Sequence, residues 1–494
     1  MSSANARPAN LVEGPIGRTL ALFALPVLGA NVLQSLNGSV NAIWIGNLLG
    51  EAALTATSNA NLVLFLMLGT VFGVSMAATI LIGQAWGRRD LDLAKRVVGT
   101  GASFFVIASA ALALAGWLLT PAILHVLGTP PAAFDFAVSY LRVIFLAVPV
   151  MNAFAFAMAA LRGAGDARTP FYFMALSVGL DIALNPMLIR GLGPFPELGI
   201  AGAAASTLLA QAVSFIALLV LLYARRHPLL PGPGEFGHFK PRPDLLRGIV
   251  GKGVPMGLQM IVISLAALVM MGLVNAFGVA TAAAYGVAAQ LWTYVQMPAL
   301  AIGAAVSSMA AQNVGAGRWD RVERIARTGV LFNIVLTGAL VALLYVADRY
   351  ALHLFLPSDS EAVDIAVHIN SVASWSFVLF GVTIVLFGVV RATGAVTPPL
   401  VILCISLLVV RVPFAWALRD TLGPEAVWWS FPLGAAVSTT LAMLYYRFGN
   451  WRQARMAPEV PATGEAADTG VSVPSMDREA EYETPGAAAE SGRR

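Results

Sequence analysis

Apolar runs of about twenty residues recur twelve times along this chain, each bounded by charges, glycine or proline, and runs of that length cross a bilayer as helices. The spans are expected at roughly 16–46, 53–86, 97–120, 134–162, 170–190 and 199–224, then at 247–276, 281–313, 322–347, 362–391, 397–419 and 425–448. The composition agrees: 58% of residues are hydrophobic and 11% charged, too few charges to solvate an ordinary soluble domain. The first run continues past Pro26 to Gly46, which reads as a retained helix rather than a cleaved leader.

Charge gives the direction. With the amino terminus inside, seventeen Lys and Arg residues fall on cytoplasmic loops or helix ends and three, Arg190, Arg349 and Arg419, on the outside. That asymmetry predicts a multi-pass protein of the bacterial inner membrane with both termini cytoplasmic. The formal charge of +4 therefore reflects topology and does not point to nucleic acid. Residues 457–494 carry eight carboxylates, three arginines and few apolar residues, and are expected to be disordered. Cys404 is the only cysteine, so no intrachain disulfide can form.

The two halves repeat. Pro26 and Pro255, Asp135 and Asp364, Arg162 and Arg391, and Gly165 and Gly394 are each 229 residues apart, and the phrases GQAWGRRD and AQNVGAGRWD keep nearly the same offset. Six spans per repeat bring both halves in from the same side, as parallel repeats about an axis along the membrane normal. The expected fold is an all-α polytopic membrane protein of twelve transmembrane helices in two six-helix lobes. An amino-terminal lobe (1–224) and a carboxy-terminal lobe (247–448) are joined by a cytoplasmic linker (225–246) and followed by a tail (449–494), with substrate bound between or within the lobes.

Intramembrane polar residues are the candidate functional groups. Asp181 is the only carboxylate expected deep in a span, where a charge costs about 2.5–3.5 kcal/mol on insertion scales; Asn185 follows one turn later on the same face. Asn31, Gln34, Asn37 and Asn41 form an uncharged polar stripe on the first span, and Thr207, Gln211 and Ser214 another on the sixth. In the second half Gln259, Gln290, Tyr294, Gln296, Met297 and Trp375 offer amides, rings and a thioether for a flat ligand. Arg411, mid-span, is expected to play a structural part, facing the interior and bonding backbone carbonyls or an acid. Pro26 and Pro255 are expected to kink their helices. The chain lacks a GxxxxGK[ST] phrase, which excludes a built-in ATP motor, and its five histidines are scattered, which argues against a metalloenzyme. No cofactor is expected.

In order, the phrases LPVLGANVLQSLNGSVNAIWIG, GQAWGRRDLDLAKR, ALRGAGDARTP, DIALNPMLI, GIAGAAASTLLAQ, AAQNVGAGRWDRVERIAR and VVRATGAVTPP resemble those of the multidrug and toxic compound extrusion family, over about residues 14–450. The resemblance implies a secondary active antiporter, expected to work as a monomer among membrane lipids, that exports drug-like, mainly cationic amphipathic compounds against Na⁺ or H⁺. It also implies a cation site in the amino lobe. The family's first-helix acid is replaced here by Asn41, the fifth-helix pair appears as Asp181 and Asn185 with the two residue types exchanged, and the sixth-helix threonine matches Thr207. Either Na⁺ or a proton would suit Asp181. The rival within the superfamily is a lipid-linked oligosaccharide flippase, for which a strongly basic cavity is expected.

Overall fold

In hydrocarbon every backbone N–H and C=O must be satisfied within its own segment, and the apolar runs accordingly fold as helices. A computed structural model describes residues 11–232, 234–353, 355 and 360–456. The first half comprises α1 (Ile16–Leu49), α2 (Glu51–Gly87), α3 (Leu91–Val126), α4 (Pro131–Gly163), α5 (Arg168–Arg190) and α6 (Ile200–Ala224). The second comprises α7 (Pro243–Asn275), α8 (Val279–Gly315), α9 (Trp319–His353), α10 (Glu361–Ala373), α11 (Ser376–Thr393), α12 (Thr397–Leu403), α13 (Val412–Ala417), α14 (Arg419–Leu422) and α15 (Glu425–Phe448). Among the described residues eleven helical segments are long and apolar enough to span a membrane, and α2, apolar over Val71–Gly87, supplies the twelfth crossing.

Three expectations about the spans are corrected. The tenth is divided: α10 and α11 are separated by a turn at Ser374 and Trp375, where the Ser376 hydroxyl donates to the Ala373 carbonyl at 2.6 Å. The eleventh is not uniformly α-helical, because Cys404–Arg411 winds as a π-helix between α12 and α13. The ninth is longer than expected and takes in a second buried carboxylate, Asp348, which is 6% exposed and accepts from Asn370 Nδ2 at 2.8 Å. α1 and α7 run on as helix through Pro26 and Pro255.

The tail starts later than 449. Trp451 is 2% exposed, its ring stacks on Tyr446 at 5.0 Å, and its carbonyl accepts from Thr393 Oγ1 at 2.7 Å. The disorder expected for 457–494 lies outside the described residues. The linker is strapped to α3 rather than loose: Lys95 Nζ reaches Glu235 at 2.6 Å, Ser103 Oγ donates to the Phe239 carbonyl at 2.6 Å, and His238 Nε2 meets Asp92 at 2.9 Å. The Asp92 carboxylate, and next the Glu235 carbonyl, hold the His238 imidazolium above the ordinary histidine range. This tether is therefore strongest at low pH and weakens as pH rises through that raised value.

The largest buried cluster joins the two lobes and mixes large apolar side chains with alanines, among them Ala77, Ala85, Ala305, Ala310 and Ala392, which let helices approach where hydrophobicity alone drives nothing. The repeat makes this contact reciprocal. Gln84 Nε2 donates to the Ala392 carbonyl at 2.7 Å, and its counterpart Gln312 Nε2 donates to the Gly163 carbonyl at 2.9 Å. A Cβ on Gly87 would lie 1.9 Å from the Gln312 carbonyl oxygen, and one on Gly315 would lie 2.0 Å from that of Gln84. Leu11–Gly14 packs at the same end, its carbonyls accepting from Asn313, Arg318 and Arg321. The lobes are thus latched at the end where the described chain begins and ends.

Candidate functional site

Asp181 lies mid-way along α5 and is 2% exposed. One carboxylate oxygen, Oδ2, accepts from Asn37 Nδ2 at 2.9 Å and Asn41 Nδ2 at 3.0 Å, both on α1. The other accepts from Ser206 Oγ at 2.6 Å, and the Thr207 hydroxyl lies 3.2 to 3.3 Å from both oxygens, so α6 closes the other side. Asn185, fully buried one turn along α5, donates to Asn41 Oδ1 at 2.9 Å. The four residues expected at the cation site therefore come together. Ser206 was missed by sequence reading, and Asn37, expected to line the cavity, belongs to this cluster.

The electrostatics of the cluster are unbalanced. Among the described residues no cation pairs with Asp181, so its charge is met by amide and hydroxyl dipoles alone. The Oδ1 atoms of Asn37 and Asn185 are buried and accept no hydrogen bond among the described residues. A buried carboxylate with orphaned amide oxygens nearby is short of positive charge, and either a hard cation or a proton would supply it.

Gln34 on α1 is exposed and Gln211 on α6 is half-buried, and neither side chain has a hydrogen bond among the described residues. In the other lobe a cavity of about 200 Å³ is lined by Tyr285, Trp292, Gln296, Phe377, Arg411 and Phe431, among others. Of the second-half residues expected at the cavity only Gln296 lines it. Gln259 is 3% exposed and engaged elsewhere, donating to the Val396 carbonyl at 3.3 Å and accepting from Arg391 Nη1 at 3.2 Å. Met297 is buried, Gln290 and Tyr294 are half-buried on the neighbouring face of α8, and Trp375 is 41% exposed at the break before α11.

Arg411 is also corrected. Among the described residues it bonds neither a carbonyl nor an acid; its guanidinium lies 3.5 Å from the centroid of the Phe431 ring. Asp348, the other buried carboxylate, is turned instead to Asn370, whose Oδ1 accepts from Trp292 Nε1 at 2.9 Å and so fixes that ring in the cavity wall.

A family model described as MatE matches residues 26–187 and again 255–417, in register with the 229-residue repeat. The chain is 37% identical over 435 residues to the probable multidrug resistance protein YoeA of Bacillus subtilis (strain 168), covering 88% of this chain and 94% of that one. It is 31% identical over 451 residues to the probable multidrug resistance protein YpnP of the same organism, covering 91% and 99%. The fold is similar to a crystal structure of MATE in complex with MaD3S, with a TM-score of 0.83 at 21% identity, over 90% of this chain and 98% of that one. On the doubled family match, the identity to these relatives and the shared helical fold, the chain belongs to the MatE family of membrane transporters and is not an enzyme.

Proposed function

We propose that this protein exports drug-like amphipathic compounds, cations among them, across the bacterial cytoplasmic membrane in exchange for Na⁺ or H⁺, with the coupling ion held by Asp181, Asn185, Asn41, Thr207 and the Asn37 amide. The observation that carries the reading is the buried, unpaired Asp181 beside two orphaned amide oxygens. The names of the relatives, probable multidrug resistance proteins, support the substrate class. Ethidium uptake by everted vesicles tests it: a Na⁺ or pH gradient should drive accumulation, and the gradient that does so identifies the ion. If neither imposed gradient moves ethidium or related dyes, the exporter reading fails. A lipid-linked oligosaccharide flippase is less well supported, because among the described residues Arg411 is the only basic one lining the carboxy-lobe cavity, and Arg142 lies 4.8 Å from the Trp117 ring centroid.

In the proposed orientation the latched end faces the cytoplasm and the turn at Gly128 faces out. With Cys404→Ser as background, Gly128→Cys should react with an impermeant maleimide on intact cells, and Lys240→Cys only after the membrane is opened. The reverse pattern would invert the topology.

A further inference from the structure

We propose that the carboxy-lobe cavity is a binding site for the anionic end of planar aromatic compounds, with Arg411 as the charged contact. The inference deepens the exporter reading by naming a substrate class for one lobe. A guanidinium offers five N–H donors in its plane and a face for stacking. Here the face is taken by Phe431, at 3.5 Å from the ring centroid, while no donor finds an acceptor among the described residues and Nε is buried without one. The carboxy lobe's buried acid, Asp348, is bonded to Asn370 and forms no ion pair with Arg411 among the described residues.

Two local features hold Arg411 in this position. The π-helix over Cys404–Arg411 adds a residue to the turn that ends at Arg411, and such turns re-aim side chains at functional sites. Gly434 clears the way on α15, since a Cβ there would sit 3.2 Å from Arg411 Cδ and 3.3 Å from its Cβ. Around the guanidinium the walls are aromatic: Trp292 lies 4.9 Å from Phe431 and 5.3 Å from Phe377 between ring centroids. A cavity of about 200 Å³ admits one or two fused rings, and an oxyanion on that ring system supplies the acceptors that Arg411 lacks. The two lobes then have opposite polarity, a carboxylate for the coupling cation and a guanidinium for the substrate anion.

The test is a charge series on one ring, measured by equilibrium binding to the purified full-length protein in nanodiscs. The probes are 2-naphthalenesulfonate, the neutral 2-naphthalenesulfonamide, 2-naphthyltrimethylammonium and ringless methanesulfonate. The aromatic sulfonate should bind at least tenfold more tightly than the other three. Arg411→Gln should remove that preference, and Arg411→Lys should retain part of it. Equal or tighter binding of the ammonium compound, equal binding of methanesulfonate, or an undiminished preference in Arg411→Gln would each overturn the proposal. The wild-type series needs no variant, so it decides the matter even if Arg411→Gln does not fold. Binding needs no ion gradient, so anion binding without gradient-driven export would refute the exporter reading and leave this site standing.

Discussion

Asp181→Asn is expected to abolish gradient-driven export, reducing dye efflux from proteoliposomes to the rate of empty vesicles while leaving insertion intact. The carboxylate is the only formal charge in a cluster otherwise made of Asn37, Asn41, Asn185, Ser206 and Thr207. If the ion is Na⁺, the variant removes the charge that compensates its dehydration. If it is H⁺, the variant mimics the protonated acid permanently, and no proton can be taken up or released. Either way the coupled cycle stops. Ser206→Ala serves as the graded control: it deletes one hydrogen bond to a charged group, worth about 1.5–3 kcal/mol, and should shift ion affinity without abolishing transport. Voltage gives a second readout. Exchange of one monovalent cationic drug for one ion moves no net charge, whereas a neutral substrate moves one, and each charge is worth about 2.3 kcal/mol per 100 mV. Membrane potential should therefore accelerate export of neutral compounds more than of cationic ones. Wild-type efflux in Asp181→Asn at equal incorporation would locate the coupling site elsewhere.

The spans and the repeat were legible because each rests on a long-range average: twenty apolar residues, or a spacing of 229 held over several landmarks. The amino-lobe cluster was nearly legible, since a lone mid-span carboxylate has few bland explanations, and Asn185 shares its helical face. Ser206 escaped because it is small and adjoins the residue that family resemblance selected. In the carboxy lobe the residues expected at a cavity and those lining this one differ by helical phase. Tyr285, Ala289, Trp292 and Gln296 line the cavity at spacings of four, three and four, while Gln290, Tyr294 and Met297 form the adjacent stripe, rotated by about 100°. An α-helix buried on several sides has no polar face to fix that phase. The π-turn before Arg411 was invisible for a related reason: one extra residue in a turn leaves the apolar run unchanged but alters where the side chain points.

Alanine at both Gly87 and Gly315 is expected to unlatch the lobes. Each new Cβ would meet a backbone carbonyl of the opposite lobe at 1.9 to 2.0 Å, and a main-chain oxygen cannot swing aside as a side chain can. Overpacking of this kind costs about 1–3 kcal/mol per site. The two positions are related by the repeat, so the displacement at one does not relieve the other, and the bonds from Gln84 to Ala392 and from Gln312 to Gly163 stretch together. Two such costs sum to about 2–6 kcal/mol, which moves the equilibrium away from the latched state by roughly thirtyfold or more. Ala164, fully buried beside this contact, reports the opening. With Cys404→Ser and Ala164→Cys as background, an impermeant maleimide applied to everted vesicles should label slowly when the glycines are present and rapidly when both are alanine. Drug export should fall in parallel, because a transporter held open on one side cannot complete its cycle. Slow labelling with undiminished export in the double variant would mean that the lobes separate and close without this contact.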